Sequence, residues 1–262
     1  MFRTLGLAAA LSLLPCALPA QSNLPAAADL IRRADAADKS QNQRNEKYTY
    51  REDHTQSDVD KNGKLSPRET RTYEHIMLEG EEYKKLVLID DKPLDAKTQK
   101  RVDEDLEKTR AERRKRGLFH IERTIALSDL EQLGRLFDNK VAGEETVLGR
   151  RTWRVDSEPK PGYKPANQNE QEVLAARHTS WFDQQEGMRI KWHDEFIRAA
   201  KGFQPGTTVD FELTRIGDSW LTDNIAFRGK EAIVLGIKAP FNSLQRYYDY
   251  KRFTVDSTLT PQ

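Results

Sequence analysis

The chain has 262 residues, of which 43 are Lys or Arg and 42 Asp or Glu; 32% are charged, 37% hydrophobic, and one is a cysteine. A net charge of +1 with no concentrated basic face excludes nucleic-acid binding as the main business, since counterion release needs such a face. A single cysteine excludes an internal disulfide framework, so stability must come from a packed core, for which the length is ample.

The first residues, MFRTLGLAAALSLLPCALPA, place one Arg before an apolar run from Leu5 to Leu18 and end on the small residue Ala20. This pattern predicts a secretory signal peptide over 1–20, followed by a single domain over 21–262 in the periplasm or outside the cell. The run is shorter than the about 20 apolar residues that span a bilayer. Cys16 lies inside it, and Pro15 is a poor residue before a lipoprotein cleavage, so lipidation there is the lesser reading.

Leu24 to Asn45 carries Leu24, Ala28, Ile31, Ala34 and Ala37 near helical spacing and predicts a helix. From Lys47 onward, runs rich in Tyr, Thr, Val, Ile, Phe and Trp recur between Gly, Asn and Asp turns, which predicts a mainly antiparallel sheet. About eleven runs stand out by alternation, among them 47–58, 64–78, 82–90, 138–147, 206–216, 219–228, 230–238 and 243–253. In MRIKWHDEF, Met188, Ile190, Trp192 and Phe196 share one face, and Arg189, Lys191, His193 and Glu195 the other. Two helical segments interrupt the strands. Asp95 to Gly117 is almost wholly charged, with acids leading and bases following, as the helix dipole favours. Leu118 to Phe137 is amphipathic, with Ile121, Ile125, Leu127, Leu130, Leu133 and Leu136 on one face.

The stretch DVDKNGKLSPRE at 58–69 fills the calcium-loop pattern, with Asp58, Asp60, Asn62, Gly63 and Glu69 at the required positions. A true EF-hand needs an entering helix, and KYTYREDHTQS before Asp58 has no apolar residues at helical spacing. The flanks read better as two strands joined by a compact Asn-Gly turn. A hairpin tip is therefore expected, with calcium binding kept as the alternative.

The order of elements resembles the LolA-like superfamily, the periplasmic lipoprotein carriers and outer-membrane lipoprotein-sorting proteins. The likeness is carried by YTYRED, TYEHIMLEGEEYKKLVLIDDKPL with its charged helix, GEETVLGRRTWRVDSEPKPGYKP, SWFDQQEGMRIKWHDEF and YYDYKRF, over most of residues 25–253. The resemblance implies a mainly β fold: a half-open antiparallel β-barrel of about eleven strands, lidded by helices over a concave apolar face. It further implies an exported protein holding a lipid or lipoprotein acyl group in that concavity, with a role in lipoprotein sorting. On the same fold the alternative is an envelope protein-interaction or sensor module, touching a membrane only peripherally.

Trp153, Trp192, Phe211 and Phe227 are the residues expected to bind a ligand if they line such a face, or to pack the core beneath the helices if they do not. No HExxH or other compact metal spacing joins His54, His75, His120, His178 and His193, which read as solvated strand or loop residues; no metal is expected. No nucleophile elbow, nucleotide glycine loop or phosphate loop occurs, so neither an enzyme nor a cofactor is expected.

Overall fold

The computed structural model describes residues 24–45, 48–59, 65–116, 130–200, 202–234 and 237–252. The expected signal peptide with Cys16, the loop positions Asp60, Asn62 and Gly63, His120, and Ile121, Ile125 and Leu127 all lie outside them.

Among the described residues, eleven antiparallel strands form one sheet: β1 (Tyr48–Val59), β2 (Leu65–Leu78), β3 (Glu81–Ile89), β4 (Lys92–Pro93), β5 (Phe137–Val147), β6 (Arg150–Pro159), β7 (Ala176–Asp183), β8 (Arg189–Phe196), β9 (Thr208–Ile216), β10 (Ser219–Val234) and β11 (Ile237–Arg252). Their spatial order is β4-β3-β2-β1-β11-β10-β9-β8-β7-β6-β5. The end strands β4 and β5 do not pair with each other, so the sheet stays open, as expected of a half-barrel.

Helix α1 (Ala27–Asn45) packs against both β5 at the sheet's end and β10 near its middle, so the sheet curls around it. Leu30, Ile31 and Ala34 of α1 are buried against Leu133 and Leu136 of α3 (Leu130–Leu136), with Val155 and Phe182 of the sheet below. At about 25 cal/mol per Å2 of apolar surface removed from water, this cluster is the principal apolar anchor of the helices. Gln41 fixes the far end of α1: its side chain accepts from the Trp220 backbone N–H at 2.8 Å and donates to the Trp220 carbonyl.

Helix α2 (Ala96–Arg116) is the charged insert, and Asp95 caps it by accepting from the Thr98 N–H at 2.9 Å. It does not lid the concavity. Tyr83, which donates to Asp105 of α2 at 2.9 Å, alternates along β3 with the inward-facing Glu82 and Lys84, so α2 lies against the opposite face. Its Arg113 donates to the carbonyls of Leu78, Glu81 and Glu82 around the β2–β3 turn.

Four details differ from the sequence reading. The segments 219–228 and 230–238 are not separate strands: β10 runs to Val234, and Gly229 sits at an irregularity in its pairing rather than a turn. The eleventh strand is instead the two-residue β4. Of the helix expected over 118–137, the described part is Leu130–Leu136, and Phe137 already begins β5. A short helix α4 (Gln168–Val173), capped by Asn167, was not foreseen, because six residues offer too little periodicity.

Candidate ligand-binding cavity

Between α1 and the concave face lies a cavity of about 540 Å3, within the about 300–1,000 Å3 usual for small-molecule sites. Its two walls come from different stretches of chain. Strands β8, β9 and β10 supply an apolar wall that includes Trp192, Phe211, Leu213, Trp220 and Ile225. Strands β1, β2, β3 and β11 supply a polar wall with Tyr50, Glu52, His75, Glu82, Lys84 and Tyr247. Cross-strand register makes each wall continuous: Trp192 pairs with Phe211, and Phe211 with Ile225.

Trp192 and Phe211 stack with ring centroids 4.5 Å apart and planes 11° apart. The Trp192 indole N–H is buried with no hydrogen-bond partner among the described residues. Arg189 lies over the same indole at 4.2 Å and also lines the cavity. Simple alternation sends Arg189 to the outer face, yet it is buried. The cause is a bulge: Trp181 pairs with Lys191 but Phe182 with Arg189, so one extra β8 residue re-aims the side chain.

The polar wall is an ion cluster. His75 bonds Glu52 through Nε2 at 2.8 Å and Glu82 through Nδ1 at 2.9 Å. Lys84 donates to the other Glu52 oxygen at 2.6 Å and lies 4.1 Å from the Tyr73 ring centre. Tyr50 stacks on the His75 ring at 4.3 Å and donates to Glu82 at 3.0 Å. Burial alone favours neutral imidazole, but the two carboxylate hydrogen bonds outweigh it and raise the His75 pKa. Burial likewise favours neutral Glu52, and the bonds from His75 and Lys84 overcome it and lower that pKa. Burial, with the neighbouring carboxylates adding to it, pushes the Tyr50 and Tyr247 hydroxyls upward, so both stay protonated. The cavity reaches solvent beside Glu82 and Lys84, whose side chains are 44% and 38% exposed.

Of the four aromatic residues singled out in the sequence, the structure brings Trp192 and Phe211 together in the cavity wall. Trp153 instead packs against the cluster beneath α1 and α3, and Phe227 stacks on Phe203 at 6.0 Å, outside the lining. The polar wall was missed, though β1 and β2 do alternate and so announce their inward positions. Two histidines correct the solvated reading. His75 is buried as described, and His178 is buried with Nδ1 2.7 Å from Asp194. Strand pairing places Asp194 directly opposite His178 and brings Glu52 and Glu82 to His75 from diagonal positions on the two neighbouring strands, which spacing along the chain does not reveal.

The loop at 58–69 is flanked by strands: Val59 pairs with Leu65 and Asp58 with Ser66. Arg68 lies 3.4 Å from Asp58, and Arg71 lies 2.7 Å from Glu69. The expected hairpin is therefore in place on both sides of the turn. Among the described residues, no group of three or more His, Cys, Asp or Glu is gathered for a metal ion, and no helix is long and apolar enough to cross a membrane.

No family model and no curated protein matches this chain. Among solved structures it is similar to a DUF1329 family protein from Desulfovibrio piger, at 14% identity over 88% of this chain and 92% of that one, with a TM-score of 0.38. An outer-membrane lipoprotein-sorting protein domain from Vibrio parahaemolyticus is similar at 11% identity over 86% and 94%, with a TM-score of 0.35. A LolA superfamily protein from Nitrosomonas europaea follows at 9% identity over 91% and 99%, with a TM-score of 0.33. These likenesses concern the fold alone.

Proposed function

We propose that this is an exported protein that holds the apolar chain of a lipid or lipidated protein, non-covalently, between α1 and the concave face of its sheet. The observation that carries the reading is the two-walled cavity. An apolar wall built on the stacked pair Trp192 and Phe211 faces a wall of paired charges and tyrosine hydroxyls, which suits an amphiphile with an acyl part and a polar head. Trp192 and Phe211 are assigned to contact the chain, and Trp153 and Phe227 to support the sheet behind them.

The test is native mass spectrometry, with lipid extraction, of the protein purified from the periplasm, alongside titration with N-phenyl-1-naphthylamine, a neutral apolar probe. A co-purifying lipid, and probe binding that Phe211→Asp abolishes, are the expected results. Absence of both would sink the lipid reading and leave the envelope protein-interaction module in its place.

A further inference from the structure

We infer that His75 is a proton-operated latch on the cavity mouth: protonated, it holds Glu82 and Tyr50 in the wall, and deprotonated, it releases them and lets the ligand leave. The inference rests on the ligand-binding reading above and adds how that site is regulated.

With both carboxylates ionised, the geometry admits one protonation state of His75. Both ring nitrogens of His75 sit within 2.9 Å of a carboxylate oxygen, Nε2 on Glu52 and Nδ1 on Glu82. A carboxylate only accepts, so each nitrogen must carry a proton, and only imidazolium carries two. When one proton leaves, one contact becomes lone pair against lone pair.

Which contact fails follows from burial. Glu52 is 2% exposed and also holds Lys84, so it cannot exchange its imidazole donor for water. Glu82 is 44% exposed and can be hydrated. The remaining proton therefore stays on Nε2, and Glu82 turns away from the bare Nδ1. Tyr50 is tied to the same Glu82 oxygen, Oε1, and stacks on the same ring. It also touches Tyr247 and Tyr250, at 5.9 and 5.1 Å between ring centres, so loosening Glu82 loosens the tyrosine side of the cavity.

The other charged and titratable groups around this ring leave it in control. From β1, besides Glu52, there is His54, which lies 3.9 Å from Glu52 and whose pKa is lowered chiefly by burial, so its titration moves away from that of His75, which is raised. From β3 there is Lys84, bound to Glu52, and from β11 Tyr247, held protonated. Asp38 of α1 and Arg189 of β8 line the same cavity, and Arg189 lies over the Trp192 indole at 4.2 Å. His75, raised by its two carboxylates, is the group among these that loses its proton on the alkaline side of the ordinary histidine value.

The test is stopped-flow release of bound N-phenyl-1-naphthylamine, uncharged throughout, between about pH 5.5 and about pH 9, where an ordinary histidine changes charge. The native protein should release the probe about tenfold faster at the alkaline end, the worth of one charge-assisted hydrogen bond. His75→Gln should release it at one rate at every pH. Glu82→Gln, at a side chain 44% exposed, should shrink the pH response, because an amide can donate to the bare nitrogen. Binding with a flat release rate in the native protein would overturn the latch and spare the cavity. No binding at any pH would overturn both.

Discussion

Glu52 and His75, on neighbouring strands and 2.8 Å apart, form an ion pair that is almost wholly out of water. Such pairs add little net stability when intact but are costly to break singly, because the survivor is left charged and buried. Glu52→Gln should therefore destabilise the fold by about 3–5 kcal/mol, measured by urea unfolding. A loss no larger than that of an exposed substitution would mean that this pair is hydrated in solution.

The same pair sets a pH window. A raised His75 pKa contributes stability that is complete below the unfolded value of about 6.5 and fades as pH rises through the folded one. The lowered Glu52 pKa contributes above the unfolded value of about 4.3 and fades as pH falls through its folded one. Melting temperature should thus be highest between those two limits, and His75→Gln should flatten the alkaline decline. A decline that persists unchanged in that variant would assign it to another group.

Trp192 and its neighbour Lys191 separate the two faces of β8. Trp192→Ala removes the ring stacked on Phe211 and should cost about 3–5 kcal/mol if that ring packs as core. Lys191 pairs with Glu212 on the outer face at 2.7 Å, and Lys191→Gln should cost under about 1 kcal/mol. Loss of probe binding in Trp192→Ala with stability kept would make the indole purely a ligand contact. Equal effects at both positions would show that the inward face of β8 is misplaced.

Calcium should not bind the loop at 58–69. Asp58 and Glu69 already have arginine partners on strands, and the bidentate carboxylate of a calcium loop must be free to reach the ion. Calorimetric titration of chelator-treated protein should give no site-binding heat at about millimolar calcium, and Glu69→Ala should leave the melting temperature unchanged. Stoichiometric binding lost in Glu69→Ala would reverse this.

Arg113 is the clamp of α2. Removing it leaves carbonyls of the β2–β3 turn without their donor, so Arg113→Ala should cost about 1–3 kcal/mol. It should also speed hydrogen exchange across residues 96–116. The exposed Lys108→Ala is the control and should do neither.

Alternation is what made the sheet legible. MRIKWHDEF and TVDFELTR put Trp192 and Phe211 inward because period two leaves no other choice once one face is apolar. The polar wall escaped because its inward residues are Tyr50, Glu52, His75, Glu82 and Lys84, which read as a wet face until strand pairing sets them against one another. Arg189 escaped for another reason: a bulge breaks the period by one residue and leaves no mark in composition. The strand β10 was cut short at Gly229, since glycine usually punctuates. Here a Cβ would come within 2.9 Å of the Thr207 hydroxyl, so the residue serves a close approach instead.

The pairing of β1 with β11 brings Tyr48 opposite Arg252, so strands from near the two ends of the described chain meet inside the sheet. The β1–β4 segment can form its own hairpins early, but the flank of β1 stays bare until the last strand has been made and delivered. Contacts so distant in sequence are slow to close, and an unpaired strand flank invites other chains. For a protein synthesised from its N-terminus, the β1–β3 part of the polar wall is thus made first and the apolar wall later, and the sixteen-residue β11 joins the two and completes the polar wall with Tyr247. A truncation that removes β11 would leave two half-sheets, each with an open seam, and the expected product is aggregate rather than a weaker binder.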